Sequence, residues 1–141
     1  MTSQVIHTHK VEVRWSDFDM YGHMMNANFV EVAQEARLAF AREHIFGQGL
    51  NFIAFVRHLD INYLLPVKWD NEAAITVESS VSRVGTTSYV THQVIKDHKG
   101  NIACVVDCTQ VAIDPQTQAP RPITDEEKNT LLKTPSEAVA S

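Results

Sequence analysis

The sequence predicts an α+β domain in which one long helix packs on one face of a β-sheet. A helical pattern follows the first strand-like segment, and about four further strand-like segments then follow without a second long helix. The chain has 141 residues and 44% hydrophobic content, which suits one domain with a real core. We therefore expect a single domain over residues 1–141, with its core at about 5–133 and a loose tail at 134–141.

Charge and hydropathy exclude several classes of protein. The net charge is -5 and no cluster of lysine and arginine stands out, which argues against a nucleic-acid-binding surface. No apolar run approaches the roughly 18 residues of a membrane span. The first residues lack the charged and then apolar pattern of a signal peptide. A cytoplasmic protein that does not act at a membrane is the default expectation.

The long helix is the clearest element of the pattern. We predict it from about Asn28 to His44, with Asn28 as its N-terminal cap and Glu31 in its first turn. Gly47 and Gly49 would end it. Its apolar face consists of Phe29, Val32, Ala33, Ala36 and Phe40.

The remaining segments alternate as strands do. Val11, Val13 and Trp15 predict a first strand before the helix. A capping box of Thr124 and Glu127 predicts a short helix that ends at about residue 133. The later strands are predicted at 52–64, 72–84, 87–96 and 102–113, with a hairpin turn at 97–101.

Two pairs of potential metal ligands have simpler interpretations. His7 and His9 share a strand face, and we interpret them as an exposed strand end because no third ligand lies nearby. Cys104 and Cys108 would lie roughly 13 Å apart along a strand, about twice the distance that a disulfide tolerates. We interpret both as small buried hydrophobes and expect neither a metal nor a cofactor.

Polar residues are densest at 17–29, between the first strand and the long helix. The spacing Asp-x-Asp-x-x-Gly also opens a calcium-binding EF-hand loop, but Tyr21 and Asn28 occupy the positions where that loop needs oxygen ligands. A plain strand-to-helix turn would explain Gly22 and Asn28. It would leave two carboxylates and a histidine without a role, so we interpret the segment as a candidate site.

The segment resembles the signature of hotdog-fold acyl-CoA thioesterases of the 4-hydroxybenzoyl-CoA thioesterase type. Met25 departs from it, since many members have a second Asn there. A weaker likeness extends over residues about 10 to 125, so the resemblance implies a curved antiparallel sheet of about five strands wrapped around one long central helix. The matching residues are Asp17, Asp19, Gly22, His23, Asn26, Ala27 and Phe29.

This resemblance implies an acyl-CoA thioesterase with Asp19 as the catalytic carboxylate. Asp19 would either attack the thioester carbonyl or act as a general base on water, and the sequence leaves both open. The backbone N–H of Asn26 would stabilise the oxyanion. Residues that would hold the loop or line the acyl pocket are Asp17, Tyr21, Gly22, His23, Met24 and Met25.

Binding of the CoA phosphates requires cationic side chains. Arg83 is the first candidate and Arg57 is the second. A β-turn with a solvated arginine explains the same residues equally well. The turn residues that would accompany Arg83 are Gly85, Thr86, Thr87 and Ser88.

The family's sites lie between two subunits, so the resemblance implies a homodimer, alone or paired into a homotetramer. Three other classes stay open: a non-catalytic acyl-CoA-binding protein, a hotdog hydratase or dehydratase, and an interaction domain. A serine hydrolase is disfavoured because the chain has no Gly-x-Ser-x-Gly elbow.

Overall fold

The computed structural model describes residues 6–50, 53–69 and 74–132. These form a five-stranded antiparallel sheet with one long helix on one face, so the predicted α+β architecture is confirmed. In the described part of the chain, no helix is long and apolar enough to cross a membrane. The elements are β1 (His7–Glu12), α1 (Asn26–Phe40), β2 (Ile53–Tyr63), β3 (Ala74–Val84), β4 (Ser88–Lys96), β5 (Ile102–Ile113) and α2 (Asp125–Leu132).

The sheet has the strand order β1-β3-β4-β5-β2, so β2 is an edge strand. Directly paired residues on antiparallel strands lie on the same face, so the register identifies the inner face that meets α1. One inner row crosses the whole sheet and consists of His9, Val77, Ile95, Cys104 and Tyr63.

The helix α1 packs against β1, β3 and β4 and leaves the inner face of β2 less covered. Its predicted apolar face is confirmed, because all five residues of that face are buried. Ala33 and Ala36 have no exposed surface, which lets the sheet approach the helix backbone closely. An open side therefore remains between α1 and the edge strand.

The predicted start of the helix at Asn28 is wrong. The helix begins at Asn26, and Met25 is its N-terminal cap. The Met25 N–H donates to the Asp17 carbonyl (3.0 Å), which turns the chain earlier than the polar pattern suggested. The side chain of Asn28 donates to the Asp17 carboxylate instead of capping the helix.

The helical path also continues past the predicted end at His44. A π-helical turn at Ala41–Ile45 and a 3-10 turn at Phe46–Gln48 follow α1 without a break. Gly49 then adopts a φ of 85°, the left-handed conformation that suits glycine at a helix end. The prediction that Gly49 ends the helical segment is confirmed.

Two expectations about the first strand are wrong. Trp15 lies in a 3-10 turn and is 76% exposed, because Asp17 binds the backbone N–H of Arg14 and ends the extended path. His7 is buried, since the strand begins there and its ring packs edge-on against Phe40. The Nε2 atom of His7 also pairs with Glu43.

The four later strands and the short helix are confirmed. The capping box is present, because Thr124 Oγ1 accepts from the Glu127 N–H at 3.1 Å and Glu127 Oε1 accepts from the Thr124 N–H at 3.0 Å. Both cysteines are buried free thiols, as predicted. The predicted strand beginnings at 52 and 72, the helix end at 133 and the tail at 134–141 lie outside the described residues.

Candidate active site

A tight loop holds the carboxylate of Asp19 between β1 and α1. Its Oδ1 atom accepts hydrogen bonds from the backbone N–H groups of Tyr21 (2.9 Å) and His23 (3.1 Å). Gly22 closes the loop with a φ of 76°, and its N–H donates to the Asp19 carbonyl. Within the described residues, Oδ2 of Asp19 makes no hydrogen bond, so one oxygen is held and the other is available.

Hydrogen bonds and a ring contact connect this loop to the segment that follows β2. The Met24 N–H donates to the Val67 carbonyl (2.8 Å), and the Trp69 N–H donates to the Gly22 carbonyl (2.9 Å). The ring of Phe18 meets that of Trp69 edge-on, with centroids 5.2 Å apart. These contacts fix the position of Asp19 relative to the end of β2.

The carboxylate of Asp17 is already fully engaged. It accepts from the Arg14 N–H (2.7 Å), from Arg14 Nη2 (3.0 Å) and from Asn28 Nδ2 (2.9 Å). Asp17 is 7% exposed and lines a different cleft from Asp19. Its bonds join the end of β1 to the first turn of α1, which is the geometry of a residue that holds the loop.

The backbone N–H of Asn26 is the first of α1 and has no hydrogen-bond partner among the described residues. Unpaired amides and the helix dipole make such a position favourable for negative charge. Asn26 and Asp19 line the same cavity, of about 350 Å³. The other lining residues are His23, Met24, Phe29, Tyr63, Leu64, Leu65 and Pro66.

The sequence did not indicate that Tyr63 belongs to this cavity. Its hydroxyl donates to the Asn26 carbonyl (3.3 Å), and its ring lies edge-on to Phe29 with centroids 5.6 Å apart. Leu64 and Leu65 both donate their N–H groups to the Ala103 carbonyl, which turns the chain at the end of β2. The signal available in the sequence was the proline that stops this strand opposite the helix start.

The proposed pocket residues separate into two sets. His23 and Met24 line the cavity with Asp19, and Met24 is buried. Tyr21 is 78% exposed, and neither Tyr21 nor Met25 lines the cavity in the single chain.

The candidate CoA residues lie at the other end of the sheet from Asp19. Tyr63 is paired with Cys104 near the start of β5, whereas Ser88 is paired with Val111 near its end. Seven residues of strand span roughly 24 Å. A single chain therefore does not bring this end of the sheet to the cavity.

The turn itself is well ordered by its backbone. Gly85 donates to the Ser88 carbonyl (2.7 Å), while the carbonyls of Thr86 and Thr87 accept from Ile123 and Ala112, both at 2.8 Å. Arg83 and Arg57 are exposed side chains, each beside an irregularity in its strand pairing. The two arginines are available to a ligand from outside the chain.

Comparison with known proteins identifies the family. A model of the thioesterase-like superfamily matches residues 13–131. The chain belongs to the thioesterase-like superfamily. The uncharacterized protein YsmA of Bacillus subtilis (strain 168) is 29% identical over 126 residues, which cover 89% of this chain and 84% of YsmA.

Solved structures of thioesterase type share the fold. The probable thioesterase YbaW of Escherichia coli is 25% identical, with a TM-score of 0.75 over 92% of this chain and 99% of YbaW. A thioesterase from Thermus thermophilus, complexed with coenzyme A and Zn, is 20% identical, with a TM-score of 0.74 over 88% of this chain and 95% of its own. The predicted hotdog fold of a thioesterase is confirmed.

Proposed function

We propose that this thioesterase-like chain is an acyl-CoA thioesterase, which hydrolyses a thioester to a free acid and CoA. One observation carries the proposal: the carboxylate of Asp19 and the unpaired N–H of Asn26 line one cavity. The coenzyme A bound to the Thermus thermophilus thioesterase supports CoA as the leaving group.

The Asn26 N–H and the Asp19 carboxylate have different roles in the proposed reaction. The thioester carbonyl oxygen would accept from the Asn26 N–H, which stabilises the negative charge that develops there. Asp19 would then either attack the carbonyl carbon to form a mixed anhydride, which water hydrolyses, or take a proton from the attacking water. On both routes the C–S bond breaks, the CoA thiolate leaves and is protonated, and the acyl carbon gains the oxygen of one water molecule.

The edge strand β2 supports a homodimer. It is an uncovered strand of eleven residues, and such edges pair readily with a second strand. Two β2 strands paired antiparallel would bring the Tyr63 end of one chain to the Ile53 end of the other. Large hydrophobics exposed at this strand are Ile53, Phe55, Val56 and Tyr63.

Release of free thiol from acyl-CoAs tests the proposal. Short, medium, long and aromatic acyl-CoAs should be assayed with the wild-type protein and with Asp19→Asn as the matched inactive control. Turnover in the wild type alone supports the proposal. Binding of acyl-CoA without turnover of any ester would indicate a non-catalytic binder, and hydration of an enoyl-CoA without thiol release would indicate a hydratase.

A further inference from the structure

A second cavity, of about 400 Å³, lies beyond the candidate active site along α1. It is bounded by the later turns of the helix and by the inner faces of β2, β4 and β5. Most of its lining is apolar. The lining residues are Gln34, Arg37, Leu38, Ala41, Ile45, Phe46, Ala54, Val56, Tyr89 and Gln110.

Among the described residues of this lining, Arg37 is the one charged side chain, and no described carboxylate accompanies it. Among the described residues, Arg37 makes no salt bridge. A guanidinium in an apolar cavity strongly favours an anionic partner. The guanidinium of Arg37 therefore gives the cavity the charge to bind an anion, and the described part of the chain supplies no such anion.

The guanidinium is held in place by a buried glutamine. Arg37 Nη1 donates to Gln93 Oε1 at 2.9 Å, and Gln93 has no exposed surface. The Nε2 atom of Gln93 in turn donates to the Ala33 carbonyl (2.9 Å) and to Ser79 Oγ (3.0 Å). The amide is thus fixed at both ends, and it orients Arg37 before any ligand arrives.

A second donor faces the same space. Gln110 Oε1 accepts from Thr91 Oγ1 at 2.9 Å, which fixes the orientation of that amide. Its Nε2 atom makes no hydrogen bond to the described residues. An anion in the cavity could therefore accept hydrogen bonds from the guanidinium N–H groups of Arg37 and from the amide N–H of Gln110.

Both cavities are lined by residues of α1 and of β2. Because Gln93 binds both Arg37 and Ala33, the guanidinium lies near the level of Ala33, seven residues after Asn26. Seven residues of helix span about 10 Å. The half-buried side chains of Leu59 and Ile61 lie on the inner face of β2 between the two cavities.

We propose that Arg37 binds the terminal carboxylate of the acyl group, so that the substrates are CoA esters of dicarboxylic acids. This inference rests on the proposed thioesterase function. At about 1.2 Å per bond of an extended chain, a gap of about 10 Å suits a diacid of roughly eight to ten carbons. The apolar wall of β2 would contact the methylene chain, and Arg37 would select the charged end over a methyl group.

Two esters that differ only at the far end of the chain test the proposal. We expect kcat/KM of the wild type to be about tenfold to a hundredfold higher for sebacyl-CoA than for decanoyl-CoA, the usual size of a hydrogen bond to a charged group. Arg37→Met should abolish this preference by lowering kcat/KM for sebacyl-CoA to the level of decanoyl-CoA. Arg37→Lys should recover part of it, because the charge returns without the bidentate fork.

Arg42→Met is the matched control, because Arg42 is an exposed arginine close in sequence that does not line the cavity. It should keep the preference. Equal hydrolysis of the two esters by the wild type, or a preference that survives in Arg37→Met, would overturn the proposal.

Equilibrium binding separates this proposal from the proposed function. If neither ester is hydrolysed, the thioesterase proposal fails, but binding of the two CoA esters still decides the role of Arg37. Tighter binding of sebacyl-CoA by the wild type, lost in Arg37→Met, would support the anion site. Equal binding of both esters would refute it. Thermal melting must show that each variant is folded, since Arg37→Met leaves Gln93 with an unpaired oxygen.

Discussion

His44 Nε2 donates a hydrogen bond to the backbone carbonyl of Thr130 at 2.6 Å, and both residues are buried. This bond joins the π-helical turn after α1 to the last turn of α2. Burial lowers the pKa of the His44 imidazole, with a further contribution from the nearby His7. The neutral ring is therefore the form that the fold favours.

Replacing His44 by Phe should destabilise the protein, because the Thr130 carbonyl would be buried without a partner. We expect a loss of about 1–3 kcal/mol in the free energy of unfolding at pH 7.5. The folded pKa lies below the unfolded value of about 6.5, so the unfolded chain binds the proton first as pH falls. The His44 contribution should thus shrink below about pH 6.5. Urea unfolding of both proteins between pH 5.5 and 7.5 measures this, and a constant difference would contradict it.

Asp19→Asn should lower thioester turnover by at least about a hundredfold, because the amide can act neither as a base nor as a nucleophile. Acyl-CoA binding should survive. Asp17→Asn is the matched comparison, and we expect it to lose stability rather than chemistry because Asp17 holds Arg14 and Asn28. Turnover and thermal melting should be measured on both. An active Asp19→Asn beside a folded but inactive Asp17→Asn would reverse the two roles.

Asn26→Pro should remove the oxyanion donor while Asn26→Ala keeps it. Loss of one such donor raises the barrier by about 3 kcal/mol, roughly a hundredfold or more in turnover. Proline is tolerated in the first turn of a helix, and Met25 before it already has the extended geometry that proline favours. Circular dichroism must show that the proline variant is folded. The assignment fails if that variant turns over normally while Asn26→Ala does not.

Glu127→Gln should weaken the attachment of α2. Glu127 accepts from Arg121 Nη1 (2.9 Å) and Nη2 (2.8 Å) and from the Thr124 N–H, and the hydrogen bonds from Arg121 are the main cause of its lowered pKa. A carboxyl with a depressed pKa stabilises the fold above its unfolded pKa of about 4.3, and this contribution disappears as pH falls through the folded value. We expect a loss of about 1–3 kcal/mol at pH 7. Chemical unfolding at pH 7 and at pH 3 should show a smaller difference between the two proteins at the lower pH.

Sedimentation at micromolar concentration should show at least a dimer. Phe55→Lys places a charge on the edge strand β2 and should shift the protein towards the monomer, since charged side chains discourage edge pairing. Turnover should fall together with the dimer fraction if the site needs both chains. A fully active monomer would contradict the shared site.

Periodicity in the sequence was sufficient to predict the sheet and the helix face, because alternation and 3.6-residue spacing are local properties of the chain. The helix start was missed for a non-local reason: Asn28, a good capping residue by type, is engaged by Asp17 eleven positions earlier. Tyr63 and Arg37 were also missed. Tyr63 contacts Asn26, which lies 37 positions earlier in the sequence, and Arg37 is oriented by Gln93, which lies 56 positions later. No local sequence pattern encodes either contact. The roles of Asp19 and Asn26 were implied together by the family resemblance, because the motif that carries it includes both residues.

The burial of the two cysteines has a practical consequence for enzymology. Burial raises the pKa of Cys104 to about 11 and also raises that of Cys108, and neither residue has exposed surface. Thiolate is the reactive form, so a disulfide reagent added to the folded protein at neutral pH should react with released CoA and leave both cysteines untouched. The same reagent added with denaturant should label two thiols in each chain. A control without acyl-CoA therefore measures how much of the protein has unfolded, because only unfolded chains react with the reagent.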